Sequence, residues 1–396
     1  MSILIVGDIH LGRSLSIGKP ASEGRLNSRV QDQLDLLKWI DELTQERDID
    51  HIVITGDVYH ETRPHPELIK HFMSWCQKAY SEIHIIAGNH DIIRSGSYVS
   101  SALDIIPALD IDGVNVYKTP EMVRLNQLDV TMLPFRDRRM YEVEDGMEAL
   151  EKLKEELFAN VSSLGTKGER ILIGHFAIEG SLGIGDEISD TLNEIFLTPD
   201  WCKEWSKVWM GHIHHPQALY QTQDLYMAHT GSLDRSDFHK VEIDHEKHVI
   251  LVNDDGSFEN ITTPTRNMRD VEIEVPGDKQ TTDYVINELC VYGKQKPLEN
   301  SILRLHVSMA SSAEDLDRTK LQNYIYNKLE VHHICGLTES RAVSEIDFDP
   351  EKMFDNQINP HEAVDKWLAT RDDFEDDQQA SRVAALCKGV IQEVEG

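Results

Sequence analysis

Five short apolar runs in this chain end alike, in glycine and then a side chain that can bind a metal. "ILIV" runs into Gly7-Asp8-Ile9-His10, "HIVIT" into Gly56-Asp57 and "IHIIA" into Gly88-Asn89-His90-Asp91. "RILI" runs into Gly174-His175, and "KVWM" into Gly211-His212-Ile213-His214. Continuous apolar runs of this length suit strands buried on both faces. A glycine behind such a strand lets the chain turn sharply and lets backbone approach a ligand. Between the runs lie helical patterns. Residues 28–47 put Val30, Leu34, Leu37 and Ile40 on one stripe; residues 64–79, with Pro64 near the start, carry Leu68, Phe72, Trp75, Cys76 and Ala79; residues 147–161 carry Met147, Leu150, Leu153, Leu157 and Val161. Strands alternating with helices specify an α/β domain, in which ligands collect beyond the carboxyl ends of the strands. All five polar tips fall there, as one shared site requires.

The polar set is Asp8, His10, Asp57, Asn89, His90, His175, His212 and His214. It is too large for one tetrahedral ion and suits two, held about 3.5–4 Å apart so that both oxygens of an in-line displacement are stabilised. A carboxylate such as Asp57 can bridge them. Asp8 and Asp57 are the only anions, and ligated imidazoles are neutral, so two divalent cations leave the centre positive and attractive to phosphate. Mixed imidazole and carboxylate suits manganese, iron or zinc better than magnesium. In an extended segment His212 and His214 share a face and are assigned to metal, while His215 points away. Asp91, beside His90, is expected to orient that imidazole.

The chain has 396 residues, enough for two or three units, and 40% of them are hydrophobic. Its formal charge of −31 repels nucleic acid at long range and disfavours a plain electrostatic DNA-binding module. Basic groups are local. Arg13, Lys19, Arg25 and Arg29 lie in a Gly- and Ser-rich segment directly behind the first metal motif, and Arg136, Arg138 and Arg139 follow the strand-like "VTMLP". Both groups are candidate contacts to a phosphate backbone, without sequence specificity. The five cysteines are scattered and form no CxxC, which fits a reducing compartment. No apolar run approaches the ~18 residues of a membrane span, and "MSILIVGDIH" lacks a basic n-region, so a cytoplasmic protein is expected. Residues 271–343 read as a small α+β unit, with strands at "VEIEV" and "ILRLHVSM" and a helical stretch at 313–329. From about 346 the composition turns acidic, with short apolar-spaced pieces around Ala363, Val364, Trp367 and Leu368 and at "ASRVAALCKGVIQEV". Such helices dock on a partner or on their own protein. No P-loop is present, so any ATP dependence must come from a partner.

The motifs "GDIH", "GDVYH", "GNHD", "GHF" and "GHIHHPQ", in this order, resemble those of the calcineurin-like metallophosphoesterases. More narrowly, "DIHLGR" at 8–13, "LPFRDRR" at 133–139 and "HTGSLDRSDF" at 229–238 resemble SbcD-type nuclease subunits of double-strand-break repair, over about the first 260 residues. The resemblance implies a four-layer α/β fold, two mixed sheets flanked by helices, over residues 1–265; a small α+β capping domain over 266–345; and a helical, ATPase-binding tail over 346–396. It implies one manganese on Asp8, His10, Asp57 and His214 and a second on Asp57, Asn89, His175 and His212, with iron or zinc less favoured. His90, with Asp91, would act at the scissile phosphate, and His60 would orient the DNA. The implied activity is a DNA exonuclease and endonuclease in an SbcCD-type repair and recombination complex. Its partners would be an SbcC-type, SMC-like ATPase, DNA ends and single strands, and a second copy of the chain. The location would be the cytoplasm, that of a host if the chain is viral. Two other readings remain open: a phosphodiesterase for cyclic nucleotides or other small diesters, and a non-catalytic scaffold that tethers DNA ends.

Overall fold

The structure, a computed structural model, describes residues 2–22, 26–95, 98–161, 169–183, 193–342 and 382–388, with positions 364 and 367. It divides into two compact units, Met1–Ser340 and Arg341–Gly396. In the first, strand β1 (Ser2–Val6) leads to helix α1 (Ser28–Arg47), β2 (His51–Ile54), helix α2 (Pro66–Cys76) and β3 (Glu82–Ile86). A hairpin of β4 (Ile92–Ser95) and β5 (Tyr98–Ser101), the short helix α3 (Ile105–Ala108) and β6 (Val114–Tyr117) follow. Then come β7 (Glu121–Leu125), β8 (Leu128–Leu133), helix α4 (Gly146–Asn160), β9 (Arg170–His175), β10 (Ala177–Ile178), β11 (Phe196–Leu197) and β12 (Lys207–Gly211). The strands β13 (Gln217–Gln221), β14 (Tyr226–His229), β15 (His248–Asn253) and β16 (Phe258–Thr262) complete two sheets.

The first sheet has the order β16-β15-β1-β2-β3-β6 and the second β13-β14-β12-β9-β8-β7. β1, β2, β3 and β6 run parallel, as do β14, β12, β9 and β8; β15, β13 and β7 join them antiparallel, and β16 pairs antiparallel with β15. The apolar runs are continuous because each strand faces two cores. Leu4 and Val6 join Leu37, Ile40 and Phe72 of α1 and α2 in one core, while Ile3 and Ile5 face inward. Val208 and Met210 join Leu150, Leu153 and Leu157 of α4, while Trp209 faces inward. Between the sheets, Ile3, Ile5, Val53 and Ile86 share a core with Val130, Met132, Ile171, Ile173 and Trp209. The result is helix, sheet, sheet, helix: the four layers expected.

Local chemistry sets the helix ends. The Asn27 side chain accepts from the Arg29 N–H at the start of α1, and the Asp145 side chain caps α4 at Met147 and Glu148. Helix α2 begins two residues after Pro64, because Pro66 takes its first turn behind the His65 cap. A third sheet, β17 (Met268–Val275), β18 (Ile302–Met309) and β19 (His333–Arg341), packs with helices Thr281–Gln295 and Arg318–Asn327 around a core of its own. Two elements there exceed the sequence reading. Neither the helix at 281–295 nor the nine-residue strand His333–Arg341 was expected. In the second unit positions 364, 367 and 382–388 are helical, and the rest of the expected tail helices lies outside the described residues. Among the described residues no helix is long and apolar enough to cross a membrane.

Candidate metal centre

β1, β2 and β3 are parallel neighbours in one sheet, and β9 and β12 are parallel neighbours in the other. Their carboxyl ends bring all five tips together. The His10 and His214 Nε2 atoms are 2.9 Å apart, and His10 Nε2 is 3.4 Å from Asp57 Oδ2. The same Asp57 oxygen lies 3.3 Å from His175 Nε2. His175 Nε2 and His212 Nδ1 lie 2.8 and 3.0 Å from Asn89 Oδ1. Asp8 closes the floor, with Oδ2 3.9 Å from His214 Nε2 and Oδ1 3.7 Å from His175 Nδ1. Asp57 therefore stands between a His10–His214 side and an Asn89–His175–His212 side.

Hydrogen bonds outside this set fix which ring atom faces inward. His175 Nδ1 donates to the Thr55 carbonyl at 2.9 Å, leaving the Nε2 lone pair for the centre. His212 Nε2 donates to Glu194 Oε1 at 2.7 Å, leaving Nδ1. Both lone pairs converge on the Asn89 carbonyl oxygen, a third, and three acceptors aimed at one point are the chemistry of a cation site. The residues present thus fit a pair of divalent ions. The His90 N–H holds Asp57 Oδ1 at 2.9 Å, and the His212 N–H holds Asp8 Oδ2 at 2.8 Å. The buried Lys247 ammonium, paired with Glu242, donates to the His214 carbonyl at 2.9 Å and holds that loop.

Electrostatics follow from burial. It opposes charge on Asp57, but the surrounding imidazoles, His175 first, hold that carboxyl well below the usual range. Burial dominates at Asp8 and raises its pKa; it lowers His10 well below the ordinary value. At His175 burial is outweighed by Asp57 and Asp8, which push the imidazole up to about 9, so a proton occupies ground a cation would take.

The backbone carries strain here. His10, Asp57 and His212 have φ of 46°, 50° and 84°, left-handed values that non-glycine residues rarely adopt. A Cβ on Gly88 would stand 2.1 Å from Asp57 Oδ1, and one on Gly56, where φ is 123°, 2.3 Å from His175 Nδ1. Only glycine lets these tips close on each other.

Several sequence expectations need correction. Asp91 does not orient His90. Its carboxylate accepts from the Val58 and Gly88 N–H groups, each at 3.0 Å, and ties the β2 and β3 loops together. The His60 carbonyl orients His90, accepting from Nδ1 at 2.7 Å. The His60 ring lies over the His90 ring, with centroids 5.5 Å apart, at the half-exposed mouth of the centre. His212 and His214 converge through the left-handed turn at His212, not through an extended strand. Arg29 is not a DNA contact: it is 1% exposed and clamped by Asp32 and Asp234 at 2.7 and 2.5 Å. Arg136 is likewise held, by Glu156 at 2.6 Å and the Phe135 and Lys118 carbonyls. Arg138 bonds the Glu144 carbonyl, and Arg139 pairs with Asp137 while remaining exposed. Lys19 is exposed, and Arg25 lies outside the described residues. Arg13 reaches the centre itself, with Nη1 2.8 Å from His214 Nδ1. Glu194, Thr55 and Lys247 were missed. Thr55 lies inside the "HIVIT" run but acts through its backbone carbonyl, which residue type does not mark, and no local pattern marks Glu194 or Lys247.

The profile of the calcineurin-like phosphoesterases matches residues 1–216, more than half of the chain. The chain belongs to the calcineurin-like phosphoesterase family. As a family member it is a metal-dependent phosphoesterase, and its Asp8–His10–His214 and Asp8–Asp57–His175 groups each gather ligand atoms within 4.8 Å of one another. It is similar to the SbcD component of the SbcCD nuclease of Staphylococcus epidermidis, 24% identical over 295 residues, 70% of this chain and 73% of the relative. Among solved structures, an archaeal phosphodiesterase aligns at TM-score 0.32 and 12% identity, covering 66% of this chain and 99% of that one. A dimetal phosphatase from Danio rerio aligns at TM-score 0.37 and 9% identity, covering 66% and 96%.

Proposed function

We propose that this phosphoesterase is a manganese-dependent DNA exonuclease and endonuclease, the nuclease subunit of an SbcCD-type complex that acts on double-strand ends and single strands. The observation that carries the reading is the Asp57 carboxylate standing between two imidazole-rich ligand sets, 3.4 Å from His10 and 3.3 Å from His175, in a chain similar to the SbcD component of an SbcCD nuclease. Asp8, His10, Asp57 and His214 would hold one ion, and Asp57, Asn89, His175 and His212 the other. Bound there, two divalent ions polarise a phosphodiester oxygen and acidify the attacking water.

The chain's own residues do the rest. With its Nδ1 proton held by the His60 carbonyl, His90 keeps Nε2 for the substrate, where it can hold or deliver a proton at the leaving oxygen. His60, stacked on His90, steadies that ring and lines the approach of the phosphate. Glu194 and Thr55 keep the second ligand set in one tautomer. Arg13, Lys19 and Arg139 supply backbone-phosphate contacts against the acidic surface. Residues 266–345 act as a capping domain beside a phosphoesterase domain of 1–265, which their separate core supports, and 346–396 bind an SbcC-type ATPase. The working form is a cytoplasmic homodimer.

The test is the purified chain with end-labelled duplex DNA, single-stranded DNA and cyclic nucleotides, with and without manganese. Cleavage of DNA that requires manganese and is lost in His90→Ser with metal content retained is the expected result. An intact, metal-loaded protein that cleaves only small diesters, or no DNA even with its ATPase, overturns it.

A further inference from the structure

The inner face of the first sheet is apolar where Val53 and Ile86 meet the second sheet, but it does not stay so. Side chains two residues apart on a strand share a face. Two residues before Val53 is His51; two and four residues before Ile86 are His84 and Glu82. His51 is paired in register with Glu82 across β2 and β3. Three metal-binding side chains therefore gather on the rim of the core between the sheets. They lie toward the amino ends of these parallel strands, opposite the ends that carry Asp57 and Asn89, so the cluster is separate from the metal centre.

Its geometry is that of a ligand set. His51 Nδ1 and His84 Nε2 are 3.3 Å apart. Glu82 Oε2 is 3.5 Å from His51 Nδ1, and Glu82 Oε1 is 3.8 Å from His84 Nε2. A tetrahedral zinc with ~2.0–2.1 Å bonds sets its ligand atoms about 3.4 Å apart. The outer partners are also present. His84 Nδ1 lies 2.9 Å from Tyr117 Oη, and donation there leaves the Nε2 lone pair for an ion. Glu82 Oε1 accepts from Asn115 Nδ2 at 2.7 Å. Side-chain exposure of 3%, 15% and 43% for His84, His51 and Glu82 describes a buried floor under an open mouth. Burial, with His51 adding to it, lowers the His84 pKa to about 4, so the ring is neutral and able to ligate near pH 7.

The geometry points to a second, mononuclear site in which His51, Glu82 and His84 bind a zinc-class divalent cation, with one position open to water, as a staple between β2 and β3. Two imidazoles and one carboxylate suit zinc and its late first-row neighbours rather than calcium or magnesium.

The probe is zinc chloride alone, added to the full chain, with bound metal counted after desalting and melting followed by heat. His51→Ala is expected to bind one zinc fewer per chain than the parent and to lose most of the zinc-induced rise in Tm. Its manganese-dependent phosphoesterase activity is expected to be unchanged. Glu82→Gln, a change at a partly exposed side chain that leaves the fold intact, is expected to weaken that zinc by at least about tenfold. The count and the melting shift do not depend on what the enzyme hydrolyses. Equal zinc numbers and equal melting shifts in parent, His51→Ala and Glu82→Gln overturn the site and leave a plain His51–His84 hydrogen bond. If His51→Ala does not fold, Glu82→Gln decides alone.

Discussion

The two ends of strands β2 and β3 carry metal-binding side chains in different ways. At the carboxyl ends the ligands ride on loops, behind glycines, with His10, Asp57 and His212 held in left-handed backbone. At the amino ends His51, Glu82 and His84 ride on the strands themselves, in ordinary extended backbone. Loops and strand ends can bring seven ligand residues from five strands to one place, but only by accepting strain and contacts too close for a Cβ. Strands bring three at no strain, and no more, because a pleat with a period of two offers few neighbours on one face. The loop site suits chemistry, and the strand site suits holding a sheet together.

The largest expected effect lies at the loop end. Asp57→Asn removes the carboxylate between the two ligand sets and should lower turnover by more than about 100-fold, beyond what loss of an outer partner costs, with bound manganese falling in parallel. Retained metal and retained turnover would erase the distinction between the two ends. Glu194→Gln should be milder. The His212 ring loses its anionic anchor, and manganese affinity should drop by about 10–100-fold while Tm barely moves. Titration with manganese, read by metal-dependent activity and by calorimetry, checks this.

Smaller again is Gly88→Ala. The new methyl meets Asp57 Oδ1, and overpacking should destabilise the fold by about 1–3 kcal/mol in denaturant unfolding. Gly146→Ala, at a helix start where a Cβ meets nothing within 4 Å, serves as the control and should be neutral or slightly stabilising. The effect that is smallest over any one pH unit belongs to the strand end. The His84 pKa is lowered from 6.5 to about 4 by burial and then by His51, so the unfolded chain takes up the proton first. Its contribution to stability is complete above pH 6.5 and is lost as pH falls toward about 4, by at most about 1.4 kcal/mol per pH unit. His60 and His332, also lowered to about 4, add to the slope of the whole protein, so the difference in unfolding free energy between the metal-free parent and His84→Asn across this window is what should show it.

The active end was legible because its signal is local. An apolar run, a glycine and a ligand occupy six or seven consecutive residues, and parallel strands must deposit their tips on one edge. Arg29 shows what was not legible. In sequence it is a cation in a basic loop; in the structure it is buried against Asp234, 205 residues away. Asp91 was misread for a related reason. Adjacency to His90 suggested a ring contact, but the carboxylate turns the other way, to the N–H groups of Val58 and Gly88. Glu194 sits in "TLNEIF", a stretch without periodicity, and matters only because His212 arrives beside it.

Residue type and period alone determined the α/β class and the strand–glycine units whose polar tips gather at one edge, since these depend on neighbours within one element. Tertiary structure decided which nitrogen of each ring faces inward, which arginines are bound up in ion pairs, and that His51, Glu82 and His84 meet at all. Those outcomes depend on partners far along the chain and on burial, which makes each pairing a matter of where the chain is packed rather than of what it is next to.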